Sequence, residues 1–88
     1  MAEVLVEFAT LITGDDGRTY RARAWGDEMH DGLWQGWIEF RPADKGKPVL
    51  RTGQETSQPS RVTTEYWALG LEPIYLDGAL VRAKDRLP

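Results

Sequence analysis

Apolar and polar residues alternate with a period of two through most of the first forty positions, the pattern of strands with one buried face. Val4, Val6, Phe8, Thr10 and Ile12 fall on one side of an extended segment, and Glu3, Leu5, Glu7, Ala9 and Leu11 on the other. Tyr20, Ala22 and Ala24 repeat the pattern against Thr19, Arg21, Arg23 and Trp25. Trp34, Gly36, Ile38 and Phe40 repeat it against Leu33, Gln35, Trp37, Glu39 and Arg41. The spacing predicts three antiparallel strands with even-numbered residues inward. A slip of one residue would turn every side chain to the wrong face, so both hairpin loops must preserve parity. A three-residue turn, Asp15-Asp16-Gly17, does so. It pairs Ile12 with Tyr20 and Phe8 with Ala24, and gives Gly17 the left-handed position of a type I turn with a bulge. A seven-residue connection over 26–32 also preserves parity, setting Ala22 opposite Gly36 and Tyr20 opposite Ile38. On the outer face this register puts Arg21 across from Trp37, and Arg23 across from Gln35 and diagonal to Trp37.

Beyond Arg41 the pattern breaks. Pro42, Gly46, Pro48, Gly53 and Pro59 accumulate among polar residues, which predicts loops around one short strand over 49–52. Ser60 supplies a hydroxyl cap to a helix of about residues 60–70, with Val62, Tyr66 and Leu69 as an apolar stripe and Gly70 as its stop before Pro73. So short a helix must dock, and the stripe is expected on the even-numbered face of the sheet. Trp67 lies about 100° of rotation from Tyr66, at the edge of that stripe or exposed. The tail fits two patterns. Leu76, Leu80, Ala83 and Leu87 match a helix with Pro73 in its first turn, whereas Ile74, Tyr75, Val81 and Gly78 favour β structure; the expectation for 74–83 is strand. The fold class is α+β: a single small domain over 1–88, an antiparallel β-meander of three to five strands with one short α-helix packed on one face.

Eighty-eight residues, 41% hydrophobic and 28% charged, suffice for one folded core and argue against disorder over most of the length. At this size packing alone supplies little stability, so self-association is a natural supplement. The absence of cysteine favours the cytoplasm over a secreted, disulfide-built domain. Glu3 and Glu7 interrupt the first apolar run, which therefore reads as neither a signal peptide nor a membrane span. A formal net charge of −3, with the signs mixed along the chain, argues against duplex nucleic acid, which needs a basic face.

No catalytic constellation emerges, and the expectation is a protein that is not an enzyme and has no cofactor. Asp27, Glu28, His30 and Asp31 share one loop, but solvated turn chemistry explains them as well as a metal does, so no metal site is assigned. The polar run from Arg51 to Arg61 is the second candidate. Arg51, Ser57, Ser60 and Arg61 would gather around a helix start that attracts anions, serving a small ligand or an enzyme, although Glu55 opposes this. The third candidate is the outer face, where Arg21, Arg23, Trp25 and Trp37 interleave cations with indoles. Single-stranded nucleic acid uses such a surface, and so do protein interfaces; alternatively the arginine stems merely shield the rings. Glu3, Glu7 and Glu39, expected on the same face, repel a polyanion. The leading expectation is a non-enzymatic binding or adaptor domain contacting another protein or a second copy of itself, with Trp37 more exposed than Trp34.

Overall fold

The computed structural model describes residues 1–87. Among them six strands and two helices form two layers: β1 (Glu3–Glu7), β2 (Ile12–Thr13), β3 (Thr19–Glu28), β4 (Trp34–Pro42), β5 (Leu50–Arg51), β6 (Thr56–Gln58), α1 (Arg61–Leu69) and α2 (Pro73–Lys84). The β3–β4 hairpin is central. β1 and β2 pair antiparallel with the far side of β3, and β5 and β6 with the far side of β4. The class is α+β as expected, with more strands than the meander predicted and a second helix. β6 arises inside the run expected to be loop.

Even parity holds along the central hairpin, where Tyr20, Ala22, Ala24, Ile38 and Phe40 are all buried. Ile12 lies opposite Tyr20, and Gly17 has φ 80°, its N–H bonded to Gly14 O at 3.0 Å. Nearer the amino terminus the expected register fails. Ala24 pairs with Val6, while the Phe8 N–H donates to Ala22 O at 3.0 Å. A bulge at Leu5 then lets Val4 pair with Trp25. Val4 therefore lies on the outer face rather than the buried one, and Leu5 turns towards the helices, packing over Gly26. Glu3 pairs with Gly26 and also moves to the helix side.

The second hairpin is longer than its parity predicted. Its connection is residues 29–33, and pairing is displaced by four: Ala22 faces Phe40, Arg23 faces Glu39 and Trp25 faces Trp37. An even displacement leaves every residue on its expected face. It exchanges Arg21–Trp37 and Arg23–Gln35 for an aromatic pair and an ion pair, both favoured cross-strand combinations.

α1 begins and ends as its sequence predicts. Ser60 Oγ accepts from Thr63 N at 3.2 Å, the Ser60 N–H donates to Thr63 Oγ1 at 3.3 Å, and Gly70 caps the far end. Its docking face is not the expected one. Val62, Tyr66 and Leu69 are 71%, 80% and 65% exposed, whereas Thr64 and Ala68 are buried and Trp67 packs against the core. The cause lies beneath the helix, where Gly26 pairs with Gly36. A Cβ on Gly36 would come within 2.8 Å of Trp67 Cζ3, and one on Gly26 within 3.4 Å of Thr64 Cγ2. The flat glycine pair accepts an indole and a threonine, whose hydroxyl is satisfied by Ser60 O at 2.7 Å.

The tail is a helix, not a strand. Leu76, Ala79, Leu80 and Ala83 of α2 join Ile12, Tyr20, Phe40 and Leu50 in the core. Helical spacing of seven residues brings Tyr75 and Arg82 to the same carboxylate, Glu55, with Tyr75 Oη at 2.5 Å, Arg82 Nη2 at 2.6 Å and Nε at 3.1 Å. Lys84 Nζ reaches Asp15 at 3.1 Å and Asp16 at 3.3 Å, fastening the last turn to the first hairpin. These ties and the buried stripe outweigh the cost of Gly78 and the β preference of Ile74 and Val81. Among the described residues no helix is long and apolar enough to cross a membrane.

Candidate interaction face

Both helices pack on one side of the sheet, and among the described residues no helix or strand covers the other side. Pairing sorts the outer side chains into rows across the strands. At one end Arg21 lies opposite Arg41, both exposed. The next row is Glu7, Arg23, Glu39 and Arg51 across β1, β3, β4 and β5. Arg23 Nε bonds Glu39 Oε1 at 2.8 Å, Arg23 Nη1 lies 3.5 Å from Glu7 Oε1, and Arg41 Nε donates to Glu39 Oε1 at 3.0 Å. The Glu39 hydrogen bond outweighs desolvation and holds the Arg23 pKa above its ordinary value.

The third row is apolar: Val4, Trp25 and Trp37. The two indoles stack with centroids 6.2 Å apart and planes 6° from parallel. Arg23 Cζ sits 5.3 Å from the Trp25 ring centre and Arg51 Cζ 4.4 Å from that of Trp37. A fourth row of Asp27, Gln35 and Ser57 is polar, with Asp27 3.3 Å from the amino terminus. Ala2, Trp25, Trp37, Glu39, Val49 and Arg51 line a cleft of about 330 Å³ beside the stack.

This arrangement corrects the expected order of tryptophan exposure. Trp37 is only 7% exposed, covered by its neighbours on the same face, whereas Trp34, expected in the core, is half-buried at the end of β4. Arg51 caps the Trp37 ring, and Arg23, which the expected register set diagonal to Trp37, lies over Trp25 instead. Trp25 Nε1 is buried and finds no hydrogen-bond partner among the described residues.

The polar run divides between the two sides of the domain. Arg51 and Ser57 belong to the outer face. Ser60 is spent as the cap of α1, and Arg61 Nε bonds Glu3 Oε1 at 2.6 Å with Glu65 at 3.9 Å. Thr52 is a buried strut, accepting from Ile38 N at 3.0 Å and donating to Gly53 O at 2.8 Å. Burial tends to raise the Glu55 carboxyl pKa, but hydrogen bonds from Arg82 and Tyr75 and the Arg82 charge lower it on balance. In the acidic loop, Asp31 Oδ1 accepts from Leu33 N at 3.1 Å as a turn residue, and among the described residues no three metal-ligating side chains gather.

Arg41 and Val49 complete the face without having been singled out as binding residues, and Glu7 and Glu39 lie on it as expected, but as partners of Arg23 rather than only as carboxylates that repel a polyanion. Cross-strand complementarity was the signal that could have found Glu39, since only the longer hairpin gives both Arg23 and Trp25 a fitting partner.

The fold and face define a two-layer α+β domain with one open, tryptophan- and arginine-bearing sheet surface. No family model matches the chain, and neither a curated protein nor a solved structure matches it.

Proposed function

We propose that the domain is a non-enzymatic binding module that contacts another protein through the outer face of its sheet. One observation carries this reading: a stacked indole pair flanked by arginines lies on a face that neither helix covers. Tryptophan and arginine dominate protein-binding hot spots, and a neighbouring apolar cleft suits an anchoring side chain. The partner we propose is an acidic segment. Arg21 stands directly opposite Arg41, and whereas Arg41 is bonded to Glu39, Arg21 has no ion-pair partner among the described residues, so a carboxylate of the partner would supply one. Single-stranded nucleic acid fits less well, because its continuous run of phosphates would have to pass Glu7, Asp27 and Glu39 on the same face, whereas a peptide can place its carboxylate at Arg21 alone. The cysteine-free chain suits the cytoplasm, the compartment we propose.

Selection from a displayed random-peptide library tests the reading. Enriched peptides are expected to combine Asp or Glu with a large apolar residue and to shift amides of β3 and β4 in NMR titration. They should bind Arg21→Glu at least tenfold more weakly, while the fold of this exposed-site variant is unchanged. Enriched peptides that shift only the 51–61 amides move the site to the polar run. Oligo-dT binding with a steep salt dependence moves the function to single-stranded nucleic acid.

A further inference from the structure

α1 carries an apolar stripe that the domain itself does not use. Val62, Tyr66 and Leu69 recur at i, i+4 and i+7 along one line, and each is at least 65% exposed. The helix cannot roll to bury them, because Thr64 and Trp67 are seated over the Gly26–Gly36 pair and Ala68 is buried in the core. Scattered surface apolar residues are ordinary, but three in a line over the full length of a nine-residue helix form a seam.

We infer that two copies of this chain associate through α1, packed antiparallel about a two-fold axis near Tyr66. A two-fold interface must be self-complementary, each residue meeting its counterpart's partner. The stripe meets that requirement. With Tyr66 opposite Tyr66 of the second copy, Val62 of each chain faces Leu69 of the other. The charges agree with this direction. Arg61, tied through Nε to Glu3 of its own chain but with its side chain 44% exposed, stands at the start of α1, and Glu72, exposed and without an ion-pair partner among the described residues, lies just past its end. An antiparallel pair brings each Arg61 to the end where the other copy's Glu72 lies, whereas a parallel pair sets like charges together. The area sets the strength. Three exposed side chains supply well under the ~800 Å² per partner of a standard interface, so the dimer is weak and reversible.

Sedimentation equilibrium from about 10 μM to about 1 mM tests this. The average mass should climb from 10.0 kDa towards twice that value. Tyr66→Glu should hold the protein at the monomer mass with an unchanged amide spectrum, since the residue is 80% exposed. Arg61→Glu should weaken association by tenfold or more, and adding Glu72→Arg should restore it. A mass fixed at 10.0 kDa throughout, or a dimer insensitive to Tyr66→Glu, overturns the inference. Failure of the charge exchange to restore a dimer that Tyr66→Glu abolishes overturns the antiparallel register. A dimer lost in Arg21→Glu but kept in Tyr66→Glu would place self-association on the sheet face instead.

Discussion

The two faces of the sheet are built from opposite materials. The helix side combines Tyr20, Ile38 and Phe40 with Ala22, Ala24, Gly26 and Gly36, and it meets alanines from α1 and α2. Small residues there let a second layer approach closely. Among the described residues the outer side has no second layer, yet it holds two of the four tryptophans and four arginines. Layer packing buries Phe40 completely, and lateral stacking buries Trp37 almost as well, at 7% exposure. A ring can thus approach core burial on an uncovered face when a neighbouring ring and an arginine stem close over it.

Truncation on each face should separate the two kinds of burial, and here the largest effects are expected. Phe40→Ala empties an enclosed space and should lose ~3–5 kcal/mol in denaturant titration. Trp37→Ala leaves a space open to water and to rearrangement of Arg51, and should lose about 2 kcal/mol. Equal losses would mean that the outer face works as a second core.

Close packing on the helix side gives the next contrast. Gly36→Ala must displace the Trp67 ring, 2.8 Å from the new methyl group, and should destabilise by ~1–3 kcal/mol, measured as a lower denaturation midpoint. Indifference to the methyl group would show that α1 rides more loosely than its geometry implies.

The smallest effect concerns a proton on the helix side. Burial, and then the Glu55 hydrogen bond and charge, push the Tyr75 phenol up to about 12 from its usual 10.0. The folded state therefore favours the protonated phenol. Its contribution is fully present below pH 10.0 and is lost as pH rises towards 12. Between those values the melting temperature of the native protein should fall more steeply than that of Tyr75→Phe. Parallel curves would remove the Tyr75–Glu55 bond from the forces that hold α2.

Local signals carried the elements they govern. The Asp15-Asp16-Gly17 turn, the Ile12–Tyr20 pair, the inward parity of β3 and β4, and the Ser60 and Gly70 ends of α1 were all legible, because each depends on a few adjacent residues. The β3–β4 register was not, since parity cannot distinguish displacements by an even number. Val4 was misplaced because a bulge adds a residue without changing the alternation around it. The α1 stripe misled for a different reason: apolar spacing reveals a seam but not which surface it meets, and the Gly26–Gly36 floor selected Thr64 and Trp67. In the tail, local β preference lost to Glu55 and the core, both distant in sequence. Of the outer face, the tryptophan–arginine composition was legible, but the stack, its Arg51 cap and the Glu39 bridge awaited the register.

The interrupted outer strands bear on solubility. β1 is five residues long and bulged at Leu5, and β2, separated from it, has two; on the opposite margin β5 has two and β6 three. An unbroken margin of free N–H and C=O groups would template the addition of strand upon strand into fibrils. Here the long ladder-forming segments, β3 and β4, are each flanked on both sides, and what remains at the margins is too short and too kinked to guide an incoming chain. A small sheet bearing indoles on its open surface is thereby guarded against polymerising by backbone pairing.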